Sequence, residues 1–177
     1  MRTSLDATLA HIAEFEGGFV DHPADPGGAT NLGITLDTYR HLLNPHGTVE
    51  DLRRLTWGEA VRLYERAYWQ TVRGDELPAG VDLVVTDMAV NAGPTRAVKL
   101  LQRSVGTAQD GQLGPITLAA VRRQAPAALV RAYTSTRLHY YRSRRHWPTF
   151  GRGWTRRARA AETRALALAA TRTPEEP

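Results

Sequence analysis

Apolar positions recur at helical spacing along nearly the whole chain. Leu5, Leu9, Ile12 and Ala13 define the inner face of a first helix, which Gly17-Gly18 stops. Residues 17–35 break the pattern; rich in Gly, Pro, Asp, Asn and Thr, they predict a long structured loop or a short hairpin. Thr56 and Glu59 form a capping box opening a helix with Ala60, Leu63, Tyr64, Ala67 and Tyr68 on one face. Residues 81–90 are almost wholly apolar, as in a buried central helix, and Asn91-Ala92-Gly93 ends it before Pro94 starts the next. That next helix carries Ala97, Val98 and Leu101, Asp110-Gly111 makes a turn, and Gly114-Pro115 opens a helix with Leu118 and Val121. A long helix over 126–144 follows, then a loop containing Trp147, Pro148, Gly151 and Gly153, and an arginine-rich helix over 154–170. The tail, 173–177, is polar. The predicted fold class is all-α, with one long structured loop after the first helix.

A chain of 177 residues with 42% hydrophobic and 23% charged positions builds one globule, or two small lobes sharing a core. It has no cysteine, which excludes disulfides, thiolate metal sites and cysteine nucleophiles. The six histidines show no close metal-ligand spacing, so neither a metal nor another cofactor is expected. No segment reaches the ~20 apolar residues that span a bilayer. Asp6, His11 and Glu14 interrupt any secretory leader. A protein made in the cytoplasm that works outside it then needs another route.

The net charge is +5, and every basic residue but Lys99 is arginine. Arg142, Arg144, Arg145, Arg152, Arg156, Arg157 and Arg159 crowd into one segment. Such a run is either a solvated helix face or a surface for polyanions: nucleic acid, anionic lipid or an acidic wall.

Chemistry concentrates at residues 16–35. Glu16 stands at the end of an amphipathic helix between Phe15 and Phe19. The negative end of the helix dipole and the apolar neighbours favour a carboxyl that holds its proton, as a general acid for glycosidic cleavage must. Such cleavage usually pairs the acid with a second carboxylate. Asp25, nine positions on among prolines and glycines, is one candidate and Asp21 the other; both residues also commonly cap turns. Thr30, Asn31 and Thr35 can hydrogen-bond sugar hydroxyls. His22 is a loop residue near the acid, read as a hydrogen-bonder.

The stretch EGGFVDHPADPGGATNLGIT resembles the signature of glycoside hydrolase family 108, muramidases found among phage endolysins and secretion-associated lysozymes. The resemblance continues through LTWGEAVRLYERAYW and DMAVNAG, and then into AVKLLQRSVG and DGQLGPITLAAV, which resemble the family's peptidoglycan-binding region. It implies a lysozyme-like helical fold with Glu16 as the catalytic glutamate. It also implies a catalytic lobe over 1–92 and a binding lobe over 93–172, packed as one globule. Phe19 stands where the family commonly has tyrosine. The Glu16, Asp25, Thr30 series is similar to the Glu/Asp/Thr triad of phage lysozymes, although the threonine falls one residue early.

Asp87 and Asn91, one helical turn apart on the apolar helix, need partners. They are expected to bond the 17–35 loop, and the resemblance makes Asn91 a glycan contact. Trp57 and Trp69 are expected to stack on sugar rings, with Trp69 lining the site, and Tyr64 and Tyr68 to pack in the core. The function expected is hydrolysis of the β-1,4 bond between N-acetylmuramic acid and N-acetylglucosamine by a monomer acting on glycan strands. The arginine-rich helix would touch an anionic wall or membrane, with no obligate nucleic acid. The alternatives are a lytic transglycosylase using Glu16 alone, a non-catalytic wall-binding protein, or a nucleic-acid-binding helical protein. Action on the cell wall, after holin-like release or another non-classical route, completes the expectation.

Overall fold

A computed structural model of the protein describes residues 2–21 and 28–171. It is about 70% helical with, among the described residues, one two-stranded sheet, a mostly α, lysozyme-like fold. The chain forms two compact units, Leu9–Ala67 and Met1–Thr8 with Tyr68–Pro177.

Helix α1 (Arg2–Phe15) runs from the second unit into the first. Its buried residues are Ser4, Thr8, Leu9, His11 and Ile12, whereas Ala13 is exposed. The inner face is therefore rotated from the purely apolar stripe and includes hydroxyls. Ser4 donates to the Asp82 carboxylate and Thr8 to the Ser4 carbonyl, so these buried polar groups are satisfied.

In the first unit, strands β1 (Thr30–Asn31) and β2 (Ile34–Thr35) pair antiparallel, Thr30 opposite Thr35 and Asn31 opposite Ile34. The connecting residues Leu32 and Gly33 both have positive φ, 49° and 71°, as a two-residue type I′ turn requires. Val20 adds a bridge to Thr30 through two 2.8 Å backbone hydrogen bonds. Helices α2 (Leu36–Leu42), α3 (Val49–Arg53) and α4 (Trp57–Tyr64) follow, each with a threonine N-cap. The Thr56–Glu59 capping box is present, and Thr48–Asp51 forms a second one. Both box carboxylates sit below their ordinary range, chiefly because the capped backbone N–H donates to the charged form. Ile12, Ile34, Leu52, Ala60 and Leu63 form the buried interior.

The α4 periodicity does not continue as an α-helix through Tyr68. Residues Glu65–Trp69 are a π-helix. Tyr64 and Trp69, five positions apart and hence one π-turn, are both buried.

The second unit is built on α5 (Val81–Ala92), whose first nine residues are all buried. Around it lie α6 (Pro94–Val105), α7 (Pro115–Arg122), α8 (Pro126–Arg142) and α9 (Trp147–Ala170). Within this unit α5 packs on α6, α8 and α9. The expected loop at 147–153 is helical instead. Pro148 sits in the first turn of α9, where it needs no donor, and Gly151 lies under the Trp147 ring, 2.7 Å from where its Cβ would be. That glycine permits close packing rather than a bend. Among the described residues no helix is long and apolar enough to cross a membrane.

Candidate active site

Glu16 follows the last residue of α1, and its N–H still donates to the Ile12 carbonyl at 3.0 Å. The helix thus holds its backbone while the side chain, half-buried, leaves the helix end. The carboxylate lies against the α-carbon of Gly33, at the tip of the β1–β2 turn. The Tyr64 hydroxyl crowds the same spot and donates to the Leu32 carbonyl at 2.6 Å. A hydrogen-bonded tyrosine from α4 and a left-handed glycine therefore frame the acid. A Cβ added at Gly17 or Gly18 would meet no described atom within 4 Å.

The hairpin carrying Gly33 is anchored from below. Asn31, 6% exposed, donates both amide hydrogens to α3, to the Leu52 carbonyl at 2.9 Å and the Arg53 carbonyl at 3.0 Å. Its expected role as a sugar contact gives way to a structural one, because its donors are consumed inside the unit. Thr35 caps α2, accepting from the Thr38 N–H at 3.2 Å. Thr30 is half-buried, and its hydroxyl donates to the Gly28 carbonyl at 3.3 Å. Phe19 lies under the Arg53 guanidinium, 4.3 Å from ring centroid to guanidinium carbon. Asp21 is exposed. Asp25 and His22 lie outside the described residues.

In the second unit, Asp87 is fully buried on α5. Its carboxylate accepts from Arg137 at 2.6 Å and Arg157 at 2.8 Å, joining α5 to α8 and α9. Burial alone would favour loss of the Arg137 proton, but the adjacent Asp87 carboxylate outweighs it and the guanidinium stays charged. Tyr141 receives a hydrogen bond from Arg137 at 2.7 Å and donates to Asn91 Oδ1 at 2.6 Å. Burial pushes its phenol up. Asn91 itself is half-buried at the end of α5. Trp69 is corrected from sugar platform to core residue, since it is 2% exposed and its indole packs on Gly74. Trp57 is 36% exposed, with its ring 6.1 Å from that of Tyr64. Arg157 is 8% exposed and belongs to the buried network, whereas Arg142, Arg144, Arg145, Arg152, Arg156 and Arg159 are exposed. Among the described residues no group of three or more His, Asp or Glu is placed to hold a metal ion.

Tyr64 as a neighbour of the acid was not found from sequence. Its helical spacing marked it as core, which it also is. The pair Leu32-Gly33 in a hairpin tip was the signal that a backbone carbonyl there would need a donor.

Residues 9–93 match the family described as Glycosyl hydrolase 108, and residues 96–159 match a Predicted Peptidoglycan domain. The solved structure of SagA from Brucella abortus is similar over the whole length, with 41% identity and a TM-score of 0.87, covering 99% of this chain and 100% of that one. No curated protein matches the chain.

Proposed function

The chain belongs to the glycosyl hydrolase 108 family, and from that premise we propose that it cleaves the β-1,4 bond between N-acetylmuramic acid and N-acetylglucosamine with Glu16 as proton donor. The coarser statement, a peptidoglycan hydrolase, follows from the catalytic and peptidoglycan-domain matches together. The observation that carries the finer reading is the seat of Glu16. Its carboxylate sits at a helix end against Gly33 and beside the Tyr64 hydroxyl.

Glu16 protonates the glycosidic oxygen as the bond to the muramic C1 breaks. Asp25 stabilises the positive charge developing on the ring or orients the attacking water, giving inversion. Thr30 contributes a hydrogen bond to a sugar hydroxyl. Asn31 and Thr35 serve by holding the hairpin that holds Gly33, and Asn91 contributes a glycan contact from the end of α5. The exposed arginines of α8 and α9 draw the protein to an anionic wall or membrane surface.

The test is clearing of purified sacculi by wild type and Glu16→Gln, with mass spectrometry of the fragments. Wild type is expected to release reducing N-acetylmuramic ends, and Glu16→Gln to bind sacculi without clearing them. A 1,6-anhydro end would make the enzyme a lytic transglycosylase. Binding without any cleavage by wild type would make it a wall-binding protein.

A further inference from the structure

Residues 94–161 contain fourteen arginine or lysine residues and one acidic residue, Asp110. Of these cations, Arg137 and Arg157 are matched by Asp87, and Arg159 by Glu162 just beyond the segment. Two others, Arg96 and Lys99, line a cleft of about 290 Å³ together with Ala92, Thr95 and Tyr140. Two guanidiniums attend the Tyr140 ring, Arg96 with its carbon 5.0 Å and Arg144 with its carbon 4.8 Å from the centroid. Lys99, the chain's one lysine, is half-buried, with its stem along the Asp110-Gly111 turn. Asp110 is the acidic group near it, and its carboxylate already accepts from Gln102 at 2.6 Å and from the Gln112 N–H at 2.8 Å. The cleft is therefore cationic on balance.

Size and chemistry together select the ligand. The volume falls just below the range that encloses drug-sized ligands, and it suits a group the size of an amino-acid residue. A platform for neutral sugar would offer a bare aromatic face and uncharged hydrogen-bonders, whereas this ring is attended by two arginines. Cations at this density are matched by carboxylate, which accepts short, charge-assisted hydrogen bonds from both arginine and lysine. In peptidoglycan the carboxylates belong mainly to the stem peptide carried on each muramic residue. We propose that the cleft formed by Arg96, Lys99 and Tyr140 is a subsite for a stem-peptide carboxylate, so that the enzyme reads peptide as well as glycan. This rests on the peptidoglycan reading above.

The test uses the full-length protein and calorimetric titration with three probes. These are a disaccharide-tetrapeptide with free peptide carboxylates, the same compound with those carboxylates converted to carboxamides, and an N-acetylglucosamine tetramer. Conversion to carboxamides is expected to weaken binding to wild type by on the order of tenfold. Arg96→Gln, and Arg96→Gln combined with Lys99→Gln, should lose that difference while binding the tetramer as wild type does. Arg131→Gln, which removes an exposed cation elsewhere on α8, should keep it. Equal binding of the two peptides by wild type, or an undiminished difference in the double variant, would overturn the subsite. So would inorganic phosphate displacing the charged peptide at equal concentration, which would make the cleft a general anion site. A wild type that neither clears sacculi nor binds any of the probes would sink the peptidoglycan reading itself, and the subsite with it.

Discussion

The Glu16 carboxylate lies against the α-carbon of Gly33, where φ is 71° and any side chain would overlap both the acid and the Tyr64 hydroxyl. Two constraints meet at that residue: a left-handed backbone, which costs a non-glycine residue about 1 kcal/mol, and a contact that leaves no room for a Cβ. Gly33→Ala is therefore expected to displace the acid. A shift on the order of 1 Å is enough to reduce turnover by about a hundredfold. Clearing of sacculi should fall by at least tenfold, with a folded protein by circular dichroism. Near-wild-type clearing by Gly33→Ala would show that the position of Glu16 does not depend on this contact.

Asp25 is proposed as the partner carboxylate and Asp21 is not. Asp25→Asn is expected to reduce the rate by about a hundredfold or more, in the range typical of a lost acid–base group. Asp21 is exposed, so Asp21→Asn should leave the rate within about twofold of wild type, its stability change lying within about 0.5 kcal/mol. Initial rates on sacculi from the two purified variants decide the matter. The reverse order would transfer the role to Asp21.

Arginines two or fewer positions apart on α9 are expected to behave oppositely. Arg157→Gln leaves the buried Asp87 carboxylate with one guanidinium instead of two, and should lower stability by about 3 kcal/mol. Arg156→Gln and Arg159→Gln, at exposed positions, should each change it by within about 0.5 kcal/mol while flattening the salt dependence of sacculus binding. Urea denaturation and binding isotherms at two salt concentrations separate the two effects. Equal stability of Arg157→Gln and Arg156→Gln would contradict the buried network.

Acid sensitivity is expected at the α4 capping box. The folded carboxyl of Glu59 sits below its ordinary value, mainly because the Thr56 N–H donates to its charged form. Its contribution to stability is therefore fully present above the ordinary carboxylate range and is lost as pH falls through the lowered folded value. Glu59→Gln, which keeps the box geometry without the charge, should be less stable than wild type at neutral pH. The difference should shrink as the pH drops below about 4.5. Melting temperatures of both proteins from pH 7 to 3 test this, and a gap constant with pH would exclude the charge as its source.

Local signals sufficed wherever one element's own residues set the outcome. Periodicity located α1 and α5 to α8, because burying one face requires apolar residues at helical intervals whatever the neighbouring element is. Thr56 and Glu59 announced their capping box, since both partners lie within one turn. The stretch from Glu16 to Thr35 carried the family resemblance, because a glutamate at a helix end followed by a Gly- and Pro-rich segment is written in consecutive residues. Tertiary structure alone decided which polar groups meet across long separations. Asn31 could not be recognised as the tie to α3, nor Asp87 as the partner of Arg137 and Arg157 fifty and seventy positions away, because hydrogen-bond pairing at a distance leaves no periodic trace. Trp69 appeared as a binding aromatic and proved to be core for the same reason: burial depends on what covers a ring. Gly151 likewise looked like a loop residue, and only the Trp147 ring packed on it shows why a glycine stands inside a helix.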